Sequence, residues 1–325
     1  MLKKLVFLGT GGTIAGTAAS ASDNVGYTAA QVGVADLLRA IPALPATLAD
    51  HAFESEQVAQ VDSKNMGWPQ WAALAQRVVH HLAQNDVAAV LVTHGTDTLE
   101  ETAYFLSQIV PAELLAAKRV VMTCAMRPAT SMAPDGPQNV LDAVAVARSD
   151  AARGVLVVCA GTVHSARDVQ KVHPYRLNAF DSGEAGPLGL VEEARVRWLH
   201  TCPVVPRAAP NVALAQLPSD AWPRVEMVMN YVGATGATVR ALCAPPRDGS
   251  LPVRGLVVAG TGNGTLQHDL EAALWEAHAQ GIAVLRTSRC ALGSLVGDVR
   301  PDELPAAQGL SPLKARIAMV LSLLA

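Results

Sequence analysis

The stretch VAAVLVTHGTDTLEETAYFLSQIV, residues 87–110, decides how the rest of the chain is read. Val87–Val92 is a short, continuously apolar run, the pattern of a strand buried on both faces. Thr93-His94-Gly95-Thr96-Asp97-Thr98 is small and polar. A helical face of Leu99, Ala103, Leu106 and Val110 follows it at once. Buried strand, turn and helix make one βα unit, so Thr96 and Asp97 fall at the carboxyl end of a strand, just before a helix. Backbone N–H groups and the positive end of the helix dipole converge there, ready to serve as oxyanion donors. Thr98 and Glu101 have the spacing of a capping box, which assigns Thr98 to structure and leaves Thr96 and Asp97 for chemistry.

The same rhythm extends in both directions. Leu5–Leu8, Val120–Met122 and Val155–Val158 read as buried strands, and Trp71–Leu82 and Val140–Ala147 as helices; His80 and His81 on the first helix are expected to face solvent. Strand–helix alternation predicts right-handed crossovers and an α/β fold, a parallel sheet with helices on both sides. The rhythm stops near Trp198, where Pro203, Pro206, Pro210, Pro218 and Pro223 follow with little periodicity. It resumes with strands at Val225–Val228, Leu256–Ala259 and Ala283–Leu285 and a helix over Leu266–Ala279. A last helix, entered through Ser311-Pro312, runs to about Leu324. The expected organisation is a larger N-terminal domain (1–197) carrying the motifs, a Pro-rich linker (198–223) and a smaller C-terminal α/β domain (224–325).

Composition narrows the function classes. Hydrophobic residues make up 50% of the 325 and charged residues 16%, so the chain is globular. The net charge of −3, without a basic block, lacks the footprint of a nucleic-acid binder. No apolar run approaches the roughly 20 residues that span a bilayer. The run after Met1-Leu-Lys-Lys is too short for a signal peptide and reads as the first strand. The five cysteines, 124, 159, 202, 243 and 290, are odd in number and widely spaced. They read as small buried hydrophobes of a reduced protein, and a cytoplasmic location is expected, or a periplasmic one if a leader has been removed. No HExxH or clustered-His pattern occurs, and neither metal nor cofactor is expected.

In open parallel sheets ligands bind beyond the carboxyl ends of the strands. After the first strand comes Gly9-Thr10-Gly11-Gly12-Thr13-Ile14-Ala15-Gly16. Ile14 stands where a dinucleotide fingerprint needs Gly, and no Gly-Lys-Ser/Thr follows, so the glycines bring backbone close to a small ligand beside Thr13. The small, polar Ala15–Ala30 segment suits a flexible flap. Lys171, beyond Val155–Val158, becomes a candidate base only if the fold carries it to Thr96.

Thr10-Gly-Gly-Thr13-Ile-Ala-Gly16 and Thr93-His-Gly-Thr96-Asp97-Thr-Leu-Glu-Glu-Thr102 resemble the two signatures of bacterial-type L-asparaginases. The likeness continues in order through Ala125-Met-Arg-Pro128, Asp135-Gly-Pro137, Arg167-Asp168 with Lys171, Gly262-Asn263-Gly264 and Lys314-Ala-Arg316. It implies two α/β domains, a homotetramer of intimate dimers with shared active sites, and hydrolysis of L-asparagine, or of L-glutamine, to the acid and ammonia. It implies Thr13 as nucleophile with Tyr27 as its activating partner, and Thr96, Asp97 and Lys171 as a second, triad-like group. Ser63 matches the serine that binds the substrate α-carboxylate, with Asp97 on the α-ammonium and the Ala125 carbonyl on the side-chain amide. Gly12, Lys64, Gly95 and Asn263 complete the implied substrate-binding set. Which threonine forms the acyl bond stays open, with Thr13 preferred. Two departures stand out: Lys64 occupies a place usually neutral or acidic, and the partner subunit's glutamate has no clean match, Asp298 and Glu303 being the candidates. The rival readings are a glutaminase–asparaginase of mixed specificity and, from another class, a catalytically silent binder of acidic amino acids.

Overall fold

The computed structural model describes residues 3–203, 212, 214, 217–218, 221–297, 303–307 and 309–325. Much of the expected linker, including Pro206 and Pro210, lies outside them, as does Asp298. The chain divides into two compact units, Met1–Pro206 and Arg207–Ala325.

The strands of the first unit are β1 (Lys4–Gly11), β2 (Ala52–Val61), β3 (Val87–Thr93), β4 (Arg119–Thr123), β5 (Gly154–Cys159), β6 (Thr162–Ser165), β7 (Gln170–Lys171), β8 (Phe180–Asp181), β9 (Gly189–Glu192) and β10 (Arg195–Trp198). Its helices are α1 (Val34–Arg39), α2 (Leu44–Leu48), α3 (Trp68–Leu82), α4 (Leu99–Ile109), α5 (Ala112–Ala117) and α6 (Gly136–Arg148). The main sheet has the order β10-β9-β6-β5-β4-β3-β1-β2. From β2 to β5 every pair is parallel, and β5-β6-β9-β10 is antiparallel.

Alternation along the strands sorts the core. Leu5, Phe7, Ala89, Leu91, Val121, Leu156 and Val158 pack with α1, α2 and α6 on one face. The intervening Val6, Leu8, Val90, Val92, Val120, Met122, Val155 and Val157 are equally buried and point to the opposite face, where α3, α4 and α5 meet the sheet. From β1 the chain goes to β2 on one side and then to β3 on the other. That switch point opens a crevice between the loops that leave β1 and β3.

The second unit is the parallel sheet β11-β12-β13, of β11 (Arg224–Met229), β12 (Val253–Gly260) and β13 (Ala283–Ser288). Helices α7 (Ala237–Cys243) and α8 (His268–Ala279) share its apolar core with Val228, Leu256 and Val258. Helix α9 (Pro312–Ser322) packs on all three strands, and the Ser311 hydroxyl caps it by accepting from Lys314 N. No helix among the described residues is long and apolar enough to cross a membrane.

Two sequence expectations are corrected, for His81 and for the cysteines, and the edge strands were missed. β2 was invisible to an apolar-run reading because it is an edge strand whose sequence, AFESEQVAQV, is half polar. The expected parallel sheet flanked by helices is present, and the antiparallel β6, β9 and β10 extend it at the far edge. His81 does not face solvent: it is buried, and its Nε2 lies 2.9 Å from Glu56 Oε2, tying α3 to β2, while His80 is exposed. Cys124 and Cys159 are buried, but Cys202 and Cys243 are half-buried and Cys290 is exposed; all five are free thiols.

Candidate active site

Close glycine contacts assemble the site. Gly11 and Gly12 end β1 with φ of 100° and 82°, a conformation open to glycine and strained for other residues. A Cβ on Gly12 would sit 2.2 Å from Gly95 Cα, and one on Gly95 would sit 2.4 Å from Ser63 Oγ. The loops leaving β1 and β3 therefore touch backbone to backbone, and the Ser63 side chain from the β2 loop packs against Gly95, which sets Thr13, Ser63 and Thr96 around one crevice. All three are almost fully buried.

Two hydroxyl groups in this crevice have partners able to move protons. Thr13 Oγ1 lies 2.6 Å from the Tyr27 hydroxyl. Lys171 Nζ donates to Thr96 Oγ1 at 2.8 Å and to Asp97 Oδ1 at 2.6 Å. The meeting of Lys171 with Thr96, which spacing alone left open, is thus made across 75 residues of chain. Glu100, buried in the first turn of α4, accepts the backbone N–H of Lys171 and so fastens β7 beside the loop it serves. Ser63 Oγ accepts the backbone N–H of Asp97 at 3.2 Å, which leaves the serine proton free to point at a ligand.

Thr98 is corrected here. It occupies the N-cap position of α4 without capping it, and its hydroxyl donates instead to the Ser63 carbonyl at 2.9 Å. The hydroxyl that spacing assigned to the helix instead holds the serine loop. Lys64 pairs with Asp62 at 2.6 Å. Its ammonium is held above the ordinary lysine range first by Asp62, and more weakly by Asp97 and Tyr27, which places its field at the crevice.

His94 and Glu100 were not singled out from the sequence. His94 is fully buried, and burial lowers its pKa to about 4, so it is neutral. Its tautomer follows from the chain of donors: Trp71 Nε1–H donates to Thr102 Oγ1 at 2.9 Å. Thr102 is then free to donate to His94 Nε2 at 3.1 Å, leaving Nδ1–H to donate to the Gly95 carbonyl at 2.7 Å. This buried chain anchors the Gly95–Thr96 peptide.

The flap is strapped at both ends. At its base, Ala30 N donates to Gly12 O and Val32 N to Ala15 O, at 3.0 and 2.9 Å, and Thr17 bridges Thr28. At its tip, Met132 N donates to Ala21 O at 2.9 Å and Ser131 Oγ to Asn24 Oδ1 at 2.7 Å. Ala125 is fully buried just beyond β4, and no described residue donates to its carbonyl. Asn263 belongs to the second unit, where its side-chain amide donates to Val296 O and accepts from Val296 N, at 2.8 and 2.7 Å. Glu303 pairs with Arg286 at 2.9 Å. No group of three or more His, Cys, Asp or Glu side chains that could hold a metal ion occurs among the described residues.

Residues 4–203 match the family model "Asparaginase, N-terminal", and residues 224–325 match "Glutaminase/Asparaginase C-terminal domain". The chain is 36% identical to L-asparaginase 2 of Escherichia coli, over 99% of this chain and 89% of that one. It is 35% identical to the glutaminase-asparaginase of Pseudomonas fluorescens, over 99% and 86%. The crystal structure of a probable cytoplasmic L-asparaginase from Campylobacter jejuni superposes with a TM-score of 0.88 at 31% identity, covering 99% and 95% of the two chains. Two buried threonine hydroxyls, one bonded to Tyr27 and one to Lys171, at a βα switch point and a match along nearly the whole length lead to one conclusion: the chain belongs to the asparaginase/glutaminase family.

Proposed function

We propose that this protein hydrolyses the side-chain amide of L-asparagine to L-aspartate and ammonia, with Thr13 as the nucleophile. The observation that carries the reading is the pair of buried threonines, each with its own proton-moving partner, Tyr27 for Thr13 and Lys171 for Thr96. A binder of acidic amino acids has no use for two such pairs.

An amide is a poor electrophile, and a covalent route divides its hydrolysis into acylation and deacylation. Thr13 Oγ1 attacks the side-chain carbonyl carbon. Tyr27 takes the hydroxyl proton across their short hydrogen bond while passing its own to the departing nitrogen, which leaves as ammonia. A water molecule set by Thr96, whose oxygen is polarised by Lys171, then cleaves the ester and returns a proton to Thr13. The Ser63 hydroxyl binds the α-carboxylate. Asp97, with one oxygen on Lys171 and its side chain half-exposed, offers the other oxygen to the α-ammonium. The Ala125 carbonyl accepts from the substrate's amide nitrogen, and Gly12 and Gly95 admit the backbone of the site to close approach.

The proposal includes the two-domain organisation with residues 198–223 as linker, a homotetramer with sites shared between subunits, and a cytoplasmic setting consistent with five free thiols. Asn263 is included as a substrate-binding residue of the second unit. A mixed glutaminase–asparaginase is the second reading, favoured by the relatives that bear that name. Steady-state ammonia release from each amide tests both. The account expects kcat/KM for asparagine to exceed that for glutamine, and equal values would replace the first reading by the second.

A further inference from the structure

The Ala125 carbonyl and the Met126 N–H belong to one peptide unit. The unit is trans, as are all the others described, so the two bonds point in opposite directions. Met126 N–H donates to Asp135 Oδ2 at 2.9 Å, and Arg127 N–H donates to Asp135 Oδ1 at 2.9 Å. One carboxylate thus grips two successive peptides and turns the Ala125 carbonyl away from itself. Asn139 completes the bracket: its Nδ2 donates to the Cys124 carbonyl at 2.9 Å and to Asp135 Oδ2 at 3.2 Å. Its Oδ1 accepts from Ala160 N at 3.0 Å, which fixes the amide's orientation. Gly136, between them, lies so close that an added Cβ would stand 3.4 Å from Ala125 Cβ and 3.0 Å from Ile14 Cγ1. The peptides on both sides of Ala125 are held from the start of α6, while the carbonyl itself stays buried and unpaired.

Strand register says where that carbonyl is. Thr93 pairs with Thr123 in the parallel β3–β4 ladder, and His94 N continues it to Thr123 O at 2.9 Å. Ala125, two residues past that pair, leaves β4 at the same end of the sheet at which Gly95 and Thr96 leave β3.

We propose that Asp135, with Asn139 behind it, is a positioning residue for amide recognition: it aims the Ala125 carbonyl at the N–H of the scissile amide and thereby makes the site prefer amides to esters. This rests on the reading of the site as an asparagine amidohydrolase. An amide nitrogen brings a donor to the Ala125 oxygen, while an ester brings only a second acceptor. Releasing the peptide forfeits the hydrogen bond to the amide and relieves a lone-pair repulsion with the ester.

The test compares kcat/KM for L-asparagine with that for the β-methyl ester of L-aspartate, in wild type, Asp135→Asn and Asp135→Ala. In Asp135→Asn the side chain keeps its volume and one acceptor, but its NH2 meets a second N–H, so one of the two peptides must turn. The expected result is a loss of about 10- to 100-fold on asparagine, the range for one misplaced hydrogen bond, with the ester unchanged or faster. Melting profiles establish folding. Should neither Asp135 variant fold, Asn139→Ala loosens the same bracket through Cys124, and its ratio must move in the same direction. Equal losses on both substrates, or none on either, would overturn the assignment. Wild-type enzyme that cleaves the ester and releases no ammonia from asparagine would instead overturn the function on which it rests.

Discussion

An ammonium beside the substrate's own amino group would be repelled by about 4 kcal/mol at roughly 4 Å and an effective dielectric of about 20. Lys64 avoids this by turning to Asp62, at 2.6 Å, while its charge is still felt at Asp97 and Tyr27. Lys64→Gln should therefore leave kcat within about twofold and lower KM for asparagine modestly, as expected for a screened surface pair. The salt dependence of KM should shrink with it. Steady-state rates at low and high ionic strength check this, and a KM raised in the variant would mean that Lys64 grips the carboxylate. At this scale the sequence was legible where a side chain's chemistry is specific, as at Thr13, Thr96 and Asp97. It misled where one hydroxyl could either accept a backbone N–H, as a cap, or donate to a carbonyl. Thr98 has the spacing of a cap, and only the arrival of the Ser63 loop from β2 shows what it holds.

The elements converge through glycines, and there the fold is least tolerant. Gly95→Ala would place a methyl carbon 2.4 Å from Ser63 Oγ and 2.9 Å from Gly12 Cα, backbone that cannot move aside. The expected loss is about 1–3 kcal/mol of stability, as for other overpacked sites, with activity falling far more than stability because two loops of the site must part. Denaturant unfolding and ammonia release on the same sample measure both. His94 sets a second element-level property. Its folded-state pKa of about 4 lies below the ordinary 6.5, so the unfolded chain binds a proton that the folded chain refuses. Its contribution is complete above pH 6.5 and is lost as pH falls toward about 4, a total of about 3 kcal/mol. Unfolding free energies from pH 7.5 to 4 should show this loss in wild type and a flatter dependence in His94→Gln, even though the variant starts less stable. Parallel slopes would show that another group carries the acid sensitivity. No period or spacing in the sequence marks His94 as buried. The sign of it is the company of Trp71 and Thr102, which only folding brings together.

Over the whole molecule, the apolar runs of β1, β3, β4 and β5 made the centre of the sheet legible, because strands buried on both faces need no polar alternation. The rest was not legible. β2, β9 and β10 lie at or near the edges, where side chains meet water and the composition relaxes toward that of loops, and β6, though buried, is only four residues long. Yet β2 delivers Ser63 and Lys64 and its loop seats Gly95, so part of the site rests on an element without a sequence signature. The motifs survived this gap because each occupies the loop of a strand that could be seen. The central claim is that two threonine hydroxyls of this unit perform amide hydrolysis, and the initial rate of ammonia release from L-asparagine tests it most directly. Wild type should release ammonia, and Thr13→Ala and Thr96→Ala should each do so at least about 1000-fold more slowly with unchanged melting behaviour. Near-wild-type release by either variant, in a folded protein, would contradict the account.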